Sequence, residues 1–280
     1  MLDLSAASGL PLRLGDDNRL SFPAEVGSNR PVVRTLEEMR PYLADPTGMG
    51  PAELYYMYRD LGPAADRDAY RPFGLRFDVT VLVPGLMARE PIKTAGHYHP
   101  DPDGRSELSF PEVYGVIHGR AHYLLQDGRT QGPARAFLVE AREGETVVVP
   151  PNFGHVTINP GPGPLVMANW VEGTFASIYG PYAEHRGACF YESVGADGRE
   201  RLEPNPRYSR RVALHRLTAA EFAAMCPPGE GLWRESRLTE AVDGPAFFRP
   251  LYRLGVDSPE RLTFLTRPGD YDWGELVGLR

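Results

Sequence analysis

The chain has 280 residues, 42% of them hydrophobic, so it can bury a sizeable core in one large domain or two small ones. Its 30 glycines and 28 prolines favour many turns and short strands over a helical bundle. A net charge of −7 and the lack of a long basic run argue against nucleic acid as a partner.

The N-terminal third shows mixed patterns. Residues 1–30 are punctuated by glycine and aspartate and are predicted to form an extended arm. A short helix is predicted over 35–43, because Thr35 and Glu38 have capping-box spacing and apolar residues recur on one face. The aromatic-rich stretch 53–61 fits either a strand or a helix.

The middle of the chain, from residue 71 to residue 182, has the pattern of a β-sheet protein. Short apolar runs alternate with turn signals such as Pro84-Gly85 and Asp127-Gly128. Strands are predicted over 78–83, 112–117, 121–126, 136–141, 145–150 and 165–170. Several short strands joined by tight turns predict a β-sandwich or barrel.

The C-terminal part changes character after residue 203. The stretch 204–211 is predicted to be a linker, and Thr218 is expected to cap a helix over 219–226 that ends at Pro227-Pro228. Two later mixed segments are not assigned to an element; they are expected to pack on the barrel or cross a dimer interface (246–254 and 261–276).

Two histidines, His97 and His99, carry the strongest chemical signal. On a strand they point to the same face, with Tyr98 on the other, and two imidazoles together can bind a first-row metal. The H-x-H pattern alone also occurs on exposed polar strands. Two glutamates follow: Glu107 lies in a polar, loop-like stretch, whereas Glu112 begins an apolar β-run.

The wider spacing selects between the two glutamates. Glu112 and Gly119 fit the pattern E-x₆-G, and a second pattern, G-x₅-P-x₄-H-x₃-N, runs from Gly144 to Asn159 through His155. These spacings resemble the two motifs of the cupins. The resemblance implies an all-β fold, the cupin jelly-roll β-barrel. The strand that carries His155 is expected to pair beside the strand that carries Glu112.

The sequence departs from the cupin pattern at two points. Pro91 stands where a glycine is expected six residues before the first histidine, and the long gap from His99 to Glu112 indicates an inserted loop with Glu107 at the pocket rim. Three histidines and a carboxylate leave octahedral positions open for adjacent substrate oxygens. Fe(II) is the first candidate, with Mn(II), Ni(II) and Zn(II) as alternatives, one ion per subunit.

Flanking residues narrow the resemblance to one family. The segments KTAGHYHP (93–100), PEVYGVIHGRAHYLLQ (111–126) and VPPNFGHVTIN (149–159) resemble the cupin-type glucose-6-phosphate isomerases known from archaea and some bacteria. Three upstream segments match as well (34–46, 54–60 and 79–85). The predicted organisation is an N-terminal arm (1–30), a cupin isomerase domain (31–208) and a C-terminal extension of unknown role (209–280).

The resemblance implies a role for each matching residue. The metal ligands would be His97, His99, Glu112 and His155. The sugar phosphate would be bound by Tyr55, Thr80, Thr94, Gly96, Trp170 and Tyr179. Glu112 would be the catalytic base, and Tyr114 would help to position O1 or the carboxylate. The threonines also fit ordinary strand positions, and Tyr114 also fits a core aromatic.

Two positions near the expected substrate differ from the family. Trp170 stands where the family commonly has a tyrosine, and a histidine that the family often carries in the next loop has no counterpart in 171–180. Both differences concern the substrate pocket rather than the metal ligands. They bear on which sugar is bound.

The implied reaction interconverts glucose 6-phosphate and fructose 6-phosphate, a step of glycolysis and gluconeogenesis. Glu112 would move a proton between C2 and C1, and the metal would polarise the C1 and C2 oxygens and stabilise the enediolate charge. A hydride shift stays open. The alternatives are an isomerase, epimerase or dioxygenase for another small substrate, and a non-catalytic sugar-binding cupin. The resemblance also implies a homodimer formed by strand exchange.

The remaining titratable residues are assigned no chemistry. His118 at a hairpin turn and His122, out of phase with the pocket face, are expected at the surface; Lys93 is expected to point away from Thr94. Two cysteines, Cys189 and Cys226, are expected to act as small apolar side chains. No apolar stretch approaches the roughly 20 residues of a membrane span, so a cytoplasmic protein with no membrane partner is expected.

Overall fold

Short apolar runs separated by turn residues recur between residues 53 and 172, and most of them form strands in the computed structural model. The structure describes residues 1–102, 104, 107–128, 133–236 and 250–277. Within these ranges, no helix has both the length and the apolar character needed to cross a membrane. The unassigned segment 246–254 lies partly outside them, and its last residues belong to a helix.

Short strands make up most of the regular structure. They are β1 (Leu2–Asp3), β2 (Arg13–Leu14), β3 (Leu20–Ser21), β4 (Val32–Thr35), β5 (Glu53–Tyr58), β6 (Leu75–Leu82), β7 (Leu86–Met87), β8 (Glu90–Pro91), β9 (Glu112–His118), β10 (Arg120–Asp127), β11 (Ala136–Arg142), β12 (Thr146–Val149), β13 (Phe153–Ile158), β14 (Leu165–Glu172), β15 (Phe190–Val194), β16 (Glu200–Pro204) and β17 (Leu214–Thr218).

The helices are short. They are α1 (Ser5–Ser8), α2 (Leu36–Met39), α3 (Ala64–Tyr70), α4 (Gly180–Glu184), α5 (Ala219–Ala223), α6 (Pro227–Ser236) and α7 (Leu251–Asp257). Within the described ranges, five 3₁₀ helices accompany them (Arg40–Tyr42, Arg71–Phe73, Pro259–Leu265, Pro268–Asp270 and Gly274–Val277).

Two sheets form the body of the molecule. One has six strands in the order β12-β9-β14-β6-β5-β4, all antiparallel, and the other has four in the order β13-β10-β11-β17. Apolar side chains of both sheets pack into one core, which includes Val113 and Trp170 from the first and Tyr123, Val139 and Phe153 from the second. The predicted all-β cupin jelly roll is confirmed.

The six-stranded sheet is covered on both faces. Every residue of β14 is buried, because one face of the sheet turns to the barrel interior and the other is covered by the C-terminal helix α7. Leu251 and Tyr252 of α7 pack against the sheet beside Trp170. A strand buried on both faces reads as a nearly continuous apolar run, and this is the sequence pattern of 165–172.

The four-stranded sheet has a second, smaller core on its outer face. Leu124 and Leu138 point outward from the barrel and are covered by residues around β15 and β16, among them Phe190 and Tyr208. Side chains of β10 are therefore buried on both faces of the sheet.

The prediction of an extended N-terminal arm is wrong. Strands β1, β2 and β3 form a small sheet, and Leu10, Leu12, Leu14 and Leu20 are buried in the main core. The first three leucines alternate along the chain, so an extended backbone directs all of them to one face.

Both predicted helices are present. The capping box at α2 forms as expected: Glu38 N donates to Thr35 Oγ1 at 3.3 Å, and Thr35 N donates to the Glu38 carboxylate at 2.8 Å. The helix expected over 219–226 is α5, but Pro227 begins the next helix, α6, rather than ending the helical region. Proline suits the first turn because the missing N–H has no helical partner there.

The stretch 53–61, which the sequence left open between strand and helix, forms strand β5 over Glu53–Tyr58.

The predicted pairing of the His155 strand is wrong. His155 lies on β13, which pairs with β10, whereas Glu112 lies on β9, which pairs with β12 and β14. The two residues therefore belong to different sheets and approach each other from facing walls of the barrel. Motif spacing fixes which residues lie on strands but does not determine the order of the strands.

Candidate metal and substrate site

The histidine pair lies on an extended segment held along β13. His97 N donates to His155 O at 3.3 Å, and His155 N donates to His97 O at 3.1 Å. Thr94 N likewise donates to Thr157 O at 2.8 Å. Alternation along this segment turns His97 and His99 into the barrel and directs Tyr98 to the other side, where its ring contacts Tyr182.

The four residues predicted as metal ligands come together. Each of His97, His99, Glu112 and His155 offers one donor atom, and the four atoms lie within 4.8 Å of one another. His99 Nε2 is 3.2 Å from His97 Nε2 and 3.3 Å from Glu112 Oε2. His155 Nε2 is 3.2 Å from the same carboxylate oxygen. We refer to these four residues as the donor cluster.

The donor cluster fits a divalent metal ion because three imidazole nitrogens and one carboxylate oxygen converge there. Burial, followed by the neighbouring histidines, lowers the pKa of His97 well below its usual value, and burial also lowers the pKa of His155. His97 Nδ1 is 3.3 Å from Ala95 O, and His99 Nδ1 is 2.9 Å from Phe110 O. A proton on each of these Nδ1 atoms would direct the electron pair of Nε2 toward a metal ion.

Glu112 supplies the negative charge of the cluster. Burial acts to raise the pKa of this carboxyl group, but its hydrogen bonds with His155 and His99 outweigh burial and hold the pKa well below its usual range. The side chain is 5% exposed, so an ionised carboxylate is shielded from water there. Neutral imidazoles with one carboxylate are the donor set of many divalent transition-metal sites.

Two neutral side chains hold the Glu112 carboxylate. Asn169 Nδ2 donates to Oε1 at 2.7 Å, and the Tyr114 hydroxyl donates to Oε2 at 2.9 Å. The Tyr114 hydroxyl also lies 3.1 Å from His155 Nε2. Burial and the adjacent carboxylate raise the pKa of Tyr114 well above its usual value, so the hydroxyl keeps its proton.

Sequence reasoning missed Asn169. Its signal was a polar side chain inside the apolar run LVMANWVE of β14. The pairing that makes it functional is long-range: Asn169 lies opposite Tyr114 on β9 and opposite Asp78 on β6. A local pattern does not encode that register.

A cavity of about 310 Å³ opens beside the donor cluster. Four of the residues predicted to bind the sugar phosphate line it, namely Tyr55, Thr80, Thr94 and Tyr179. Tyr55 accepts a hydrogen bond from Ala95 N at 3.1 Å, and Thr94 Oγ1 accepts one from Thr157 N at 3.0 Å. Tyr114 also lines the cavity. The structure therefore brings these residues together beside one opening.

Trp170 does not lie in the cavity, which corrects its predicted place in the substrate pocket. It is fully buried on the opposite face of β14, where it packs on Phe77 and Tyr70 and its indole N–H donates to Leu251 O at 2.9 Å. The reason is alternation, since Asn169 on the same strand faces the cavity.

Gly96 also lies outside the cavity lining. A Cβ atom at this position would come within 2.1 Å of the Tyr182 ring, so the close approach of that ring accounts for the glycine. The structure therefore explains Gly96 by packing, and its predicted contact with the sugar phosphate stays a prediction.

His122 is buried rather than exposed, contrary to expectation. It is 2% exposed, and its Nδ1 lies 2.9 Å from a carboxylate oxygen of Glu192 on β15. The prediction treated the outward face of β10 as solvent, but residues around β15 and β16 cover it. His122, Glu192 and Glu200 form a second group of side chains with metal-ligand chemistry, which we call the outer cluster.

Other expectations agree with the structure. His118 is half-buried and lies 2.8 Å from Glu143. Lys93 is buried in an ion pair with Glu90, away from the cavity. Burial raises the pKa of both Cys189 and Cys226 to about 12, so both thiols stay protonated at neutral pH.

Sequence reasoning also missed three charged residues at the cavity. Arg59 and Arg76 line it, and Asp78 lies fully buried between them. The signal was an unusual density of charge at the end of one strand and the start of the next, in YRD (58–60) and RFD (76–78).

Comparison with known proteins identifies the relatives of this chain. A family model described as "Glucose-6-phosphate isomerase (GPI)" matches residues 33–207. The glucose-6-phosphate isomerase of Thermococcus litoralis is 29% identical over 197 residues, which cover 68% of this chain and 94% of that protein. The enzyme of the same name from Thermococcus gammatolerans is 30% identical over 189 residues, covering 64% and 87%.

Solved structures show a weaker and more local similarity. Oxalate decarboxylase from Bacillus subtilis gives a TM-score of 0.32 at 20% identity, covering 45% of this chain and 28% of that one. An oxalate oxidase in complex with the substrate analogue glycolate gives 0.30 at 19% identity, covering 38% and 46%.

Proposed function

The chain belongs to the glucose-6-phosphate isomerase family, and we propose that it interconverts glucose 6-phosphate and fructose 6-phosphate with a divalent metal ion in the donor cluster. The observation that carries the proposal is the convergence of His97, His99, Glu112 and His155 at the wall of a cavity of sugar size. Fe(II) is our first candidate, and Mn(II), Ni(II) and Zn(II) are alternatives.

Glu112 is the proposed base. In the forward direction its carboxylate removes the proton from C2 of the open-chain aldose, and the electron pair forms the C1–C2 double bond as the C1 carbonyl oxygen gains a proton. Glu112 then returns the proton to C1 while the C2 hydroxyl loses its proton, so one proton passes in net from O2 to O1 and the ketose is formed. Such a transfer requires an ionised carboxylate close to both carbons. A bound divalent ion would polarise the substrate oxygens during this transfer.

Asn169 and Tyr114 keep the base in position. Each donates to a different oxygen of Glu112, so the carboxylate cannot rotate freely. Two fixed hydrogen bonds preorganise the carboxylate for a proton that moves between adjacent carbons. The Tyr114 hydroxyl also lines the cavity, and because its one proton goes to Glu112, its oxygen can accept a hydrogen bond from the O1 hydroxyl of the substrate.

The sugar phosphate is proposed to lie at the Thr80 and Thr94 end of the cavity, with Tyr55 and Tyr179 beside it. Hydroxyl groups on strands can donate hydrogen bonds to phosphate oxygens without a long charged side chain. The lining position of these four residues supports this placement.

The function is tested by measuring metal and substrate dependence together. Purified protein is assayed with glucose 6-phosphate, mannose 6-phosphate and the unphosphorylated sugars, and its metal content is measured alongside. We expect conversion of glucose 6-phosphate, loss of conversion after chelation, and recovery when a divalent transition metal is added. Full activity in verified metal-free protein would contradict the proposed metal dependence.

A second arm tests the phosphate-binding residues. Replacing Thr80 and Thr94 together with alanine is expected to raise KM for the phosphosugar. Unchanged kinetics would show that the substrate carries no phosphate at this end. Oxygen consumption would instead indicate a dioxygenase, and binding without turnover would indicate a non-catalytic cupin.

We also propose a homodimer and a cytoplasmic location. The support for both is the family membership of the chain. Light scattering on the purified protein tests the dimer, since a monomeric mass at micromolar concentration would exclude it.

A further inference from the structure

A charged wall lines the cavity along the six-stranded sheet, from two residues beyond Thr80 to the row that contains Glu112. It consists of Arg59, directly after β5, and Arg76 and Asp78 on β6. In the register of the two strands, Thr80 lies opposite Met57 and Val79 lies opposite Tyr58. By the same register, Arg59 lies opposite Asp78. Both residues are two positions from the Met57–Thr80 pair, which is about 7 Å along the strands.

Asp78 offsets the charge of one of the two arginines. It is 0% exposed and accepts from Arg76 Nη2 at 3.0 Å and from the Asp60 backbone N–H at 2.9 Å; Arg59 Nη1 donates to it as well. One buried carboxylate between two guanidinium groups leaves this wall with a net positive charge.

Arg76 has its donors occupied by protein groups. Its Nε and Nη2 both face Asp78, and its Nη1 donates to Gly173 O at 2.9 Å. Its side chain is 27% exposed. Arg76 therefore anchors Asp78 and the neighbouring backbone.

Arg59 keeps donors for the cavity. Among the residues that the structure describes, its guanidinium donates only to Asp78 and to the weakly accepting sulfur of Met57 at 3.2 Å. Its side chain is 43% exposed and lines the same cavity as the donor cluster. A guanidinium group has five N–H donors in a planar fork, so several are left to face a ligand.

We infer that Arg59 is a substrate-binding residue that pairs with the phosphoryl group of the sugar phosphate, with Asp78 and Arg76 positioning its guanidinium. The inference rests on the proposed function for the identity of the substrate. It adds a charge to a subsite otherwise made of hydroxyl groups, in a protein whose net charge is −7. A guanidinium group suits phosphate because two of its N–H groups can donate to two oxygens at once.

The test compares Arg59→Gln and Arg59→Lys with the parent protein. For glucose 6-phosphate we expect Arg59→Gln to raise KM about 10- to 100-fold, the effect of losing a charge-assisted hydrogen bond. Arg59→Lys should recover part of the loss, because it restores the charge without the fork. Binding of the unphosphorylated sugar, measured by calorimetry, should stay the same in all three proteins.

Arg71→Gln is the matched control. Arg71 carries the same charge and pairs with Asp60 at 2.6 Å, but it does not line the cavity. Its KM for glucose 6-phosphate should equal that of the parent. If Arg71→Gln raised KM as much as Arg59→Gln does, loss of any nearby positive charge would be enough to raise KM. That result would overturn the specific role of Arg59.

Direct binding separates failure of this inference from failure of the proposed function. Calorimetric titration with glucose 6-phosphate and with inorganic phosphate needs no turnover. Weaker binding of both to Arg59→Gln, with the melting temperature of the parent retained, supports the inference even if no isomerisation is seen. Equal binding to both proteins overturns it while leaving isomerase activity intact, and a parent protein that binds neither ligand also overturns it.

Discussion

The donor cluster and the outer cluster contain the same kinds of side chain in different surroundings. Both join histidine to glutamate deep in the fold: His99 with Glu112, and His122 with Glu192. The donor cluster opens on a cavity, and its carboxylate is held by the neutral donors Asn169 and Tyr114.

The outer cluster already has a protein cation. Arg216 donates to Glu200 at 2.8 Å and also pairs with Glu140, which lies opposite His122 on β11. Only one histidine contributes. The two clusters therefore differ in the partners of their carboxylates: neutral donors hold Glu112 beside a cavity, whereas an arginine pairs with Glu200.

The largest contrast is expected between two substitutions of the same type. Glu112→Gln should lower kcat about 10²- to 10⁴-fold, because the amide cannot act as a general base. Glu192→Gln should leave kcat unchanged and should instead lower the melting temperature, since it weakens the buried pair with His122. A coupled assay for fructose 6-phosphate and a thermal melt provide the two measurements. Equal kcat values in the two variants would contradict the different roles assigned to Glu112 and Glu192.

Metal content gives the next contrast. His99→Gln should weaken metal binding more than about 100-fold, because even partners behind the ligands often contribute 10- to 100-fold. The matched variant His122→Gln should keep one metal ion per chain. Elemental analysis after dialysis at a fixed metal concentration measures both. Two ions per chain in the parent protein, falling to one in His122→Gln, would make the outer cluster a metal site.

Replacing a neutral donor to Glu112 should lower kcat less than replacing Glu112, the proposed base. Asn169→Leu should lower kcat about 10- to 100-fold, the effect of losing one hydrogen bond to a charged group. KM and metal content should stay close to those of the parent if Asn169 only positions the carboxylate. Loss of metal from Asn169→Leu would instead assign Asn169 to the integrity of the metal site.

Trp170→Phe is expected to have the smallest effect on the kinetics. Trp170 is the next residue after Asn169, but it lies on the other face of β14. Trp170→Phe should lower the free energy of unfolding by about 1–3 kcal/mol, through lost volume and a lost hydrogen bond. KM for glucose 6-phosphate should not change. Urea unfolding and steady-state kinetics measure the two, and a raised KM would return Trp170 to the substrate pocket.

Features carried by local pattern could be predicted from the sequence. The H-x-H spacing and the two wider motifs picked out His97, His99, Glu112 and His155, which the structure brings to one point. Alternating apolar runs gave most of the strands, and the capping box at Thr35 gave the first predicted helix. Each of these signals lies within a few residues along the chain.

Features that depend on strand order could not be predicted. The sheet register places Asn169 beside Tyr114 and Asp78, and it puts β13 in the second sheet. His122 was misplaced because the covering strand β15 lies about 70 residues away, as the pairing with Glu192 shows. Trp170 was misplaced for the same reason: strand alternation puts it on the face opposite Asn169, and the face that Asn169 occupies follows from the sheet register.

The parallel pairing of β17 with β11 gives the C-terminal region a protective role. Without residues 214–218, the seven-residue β11, with Phe137, Leu138 and Val139, would be the outermost strand of its sheet and would offer its unpaired backbone groups to another molecule. The five-residue β17 pairs with those backbone groups of β11 and becomes the edge strand of the sheet, where the side chains of His215 and Arg216 are exposed. Charged, short border strands discourage intermolecular β-pairing. A chain shortened to residue 208 would therefore face a solubility problem before any catalytic one.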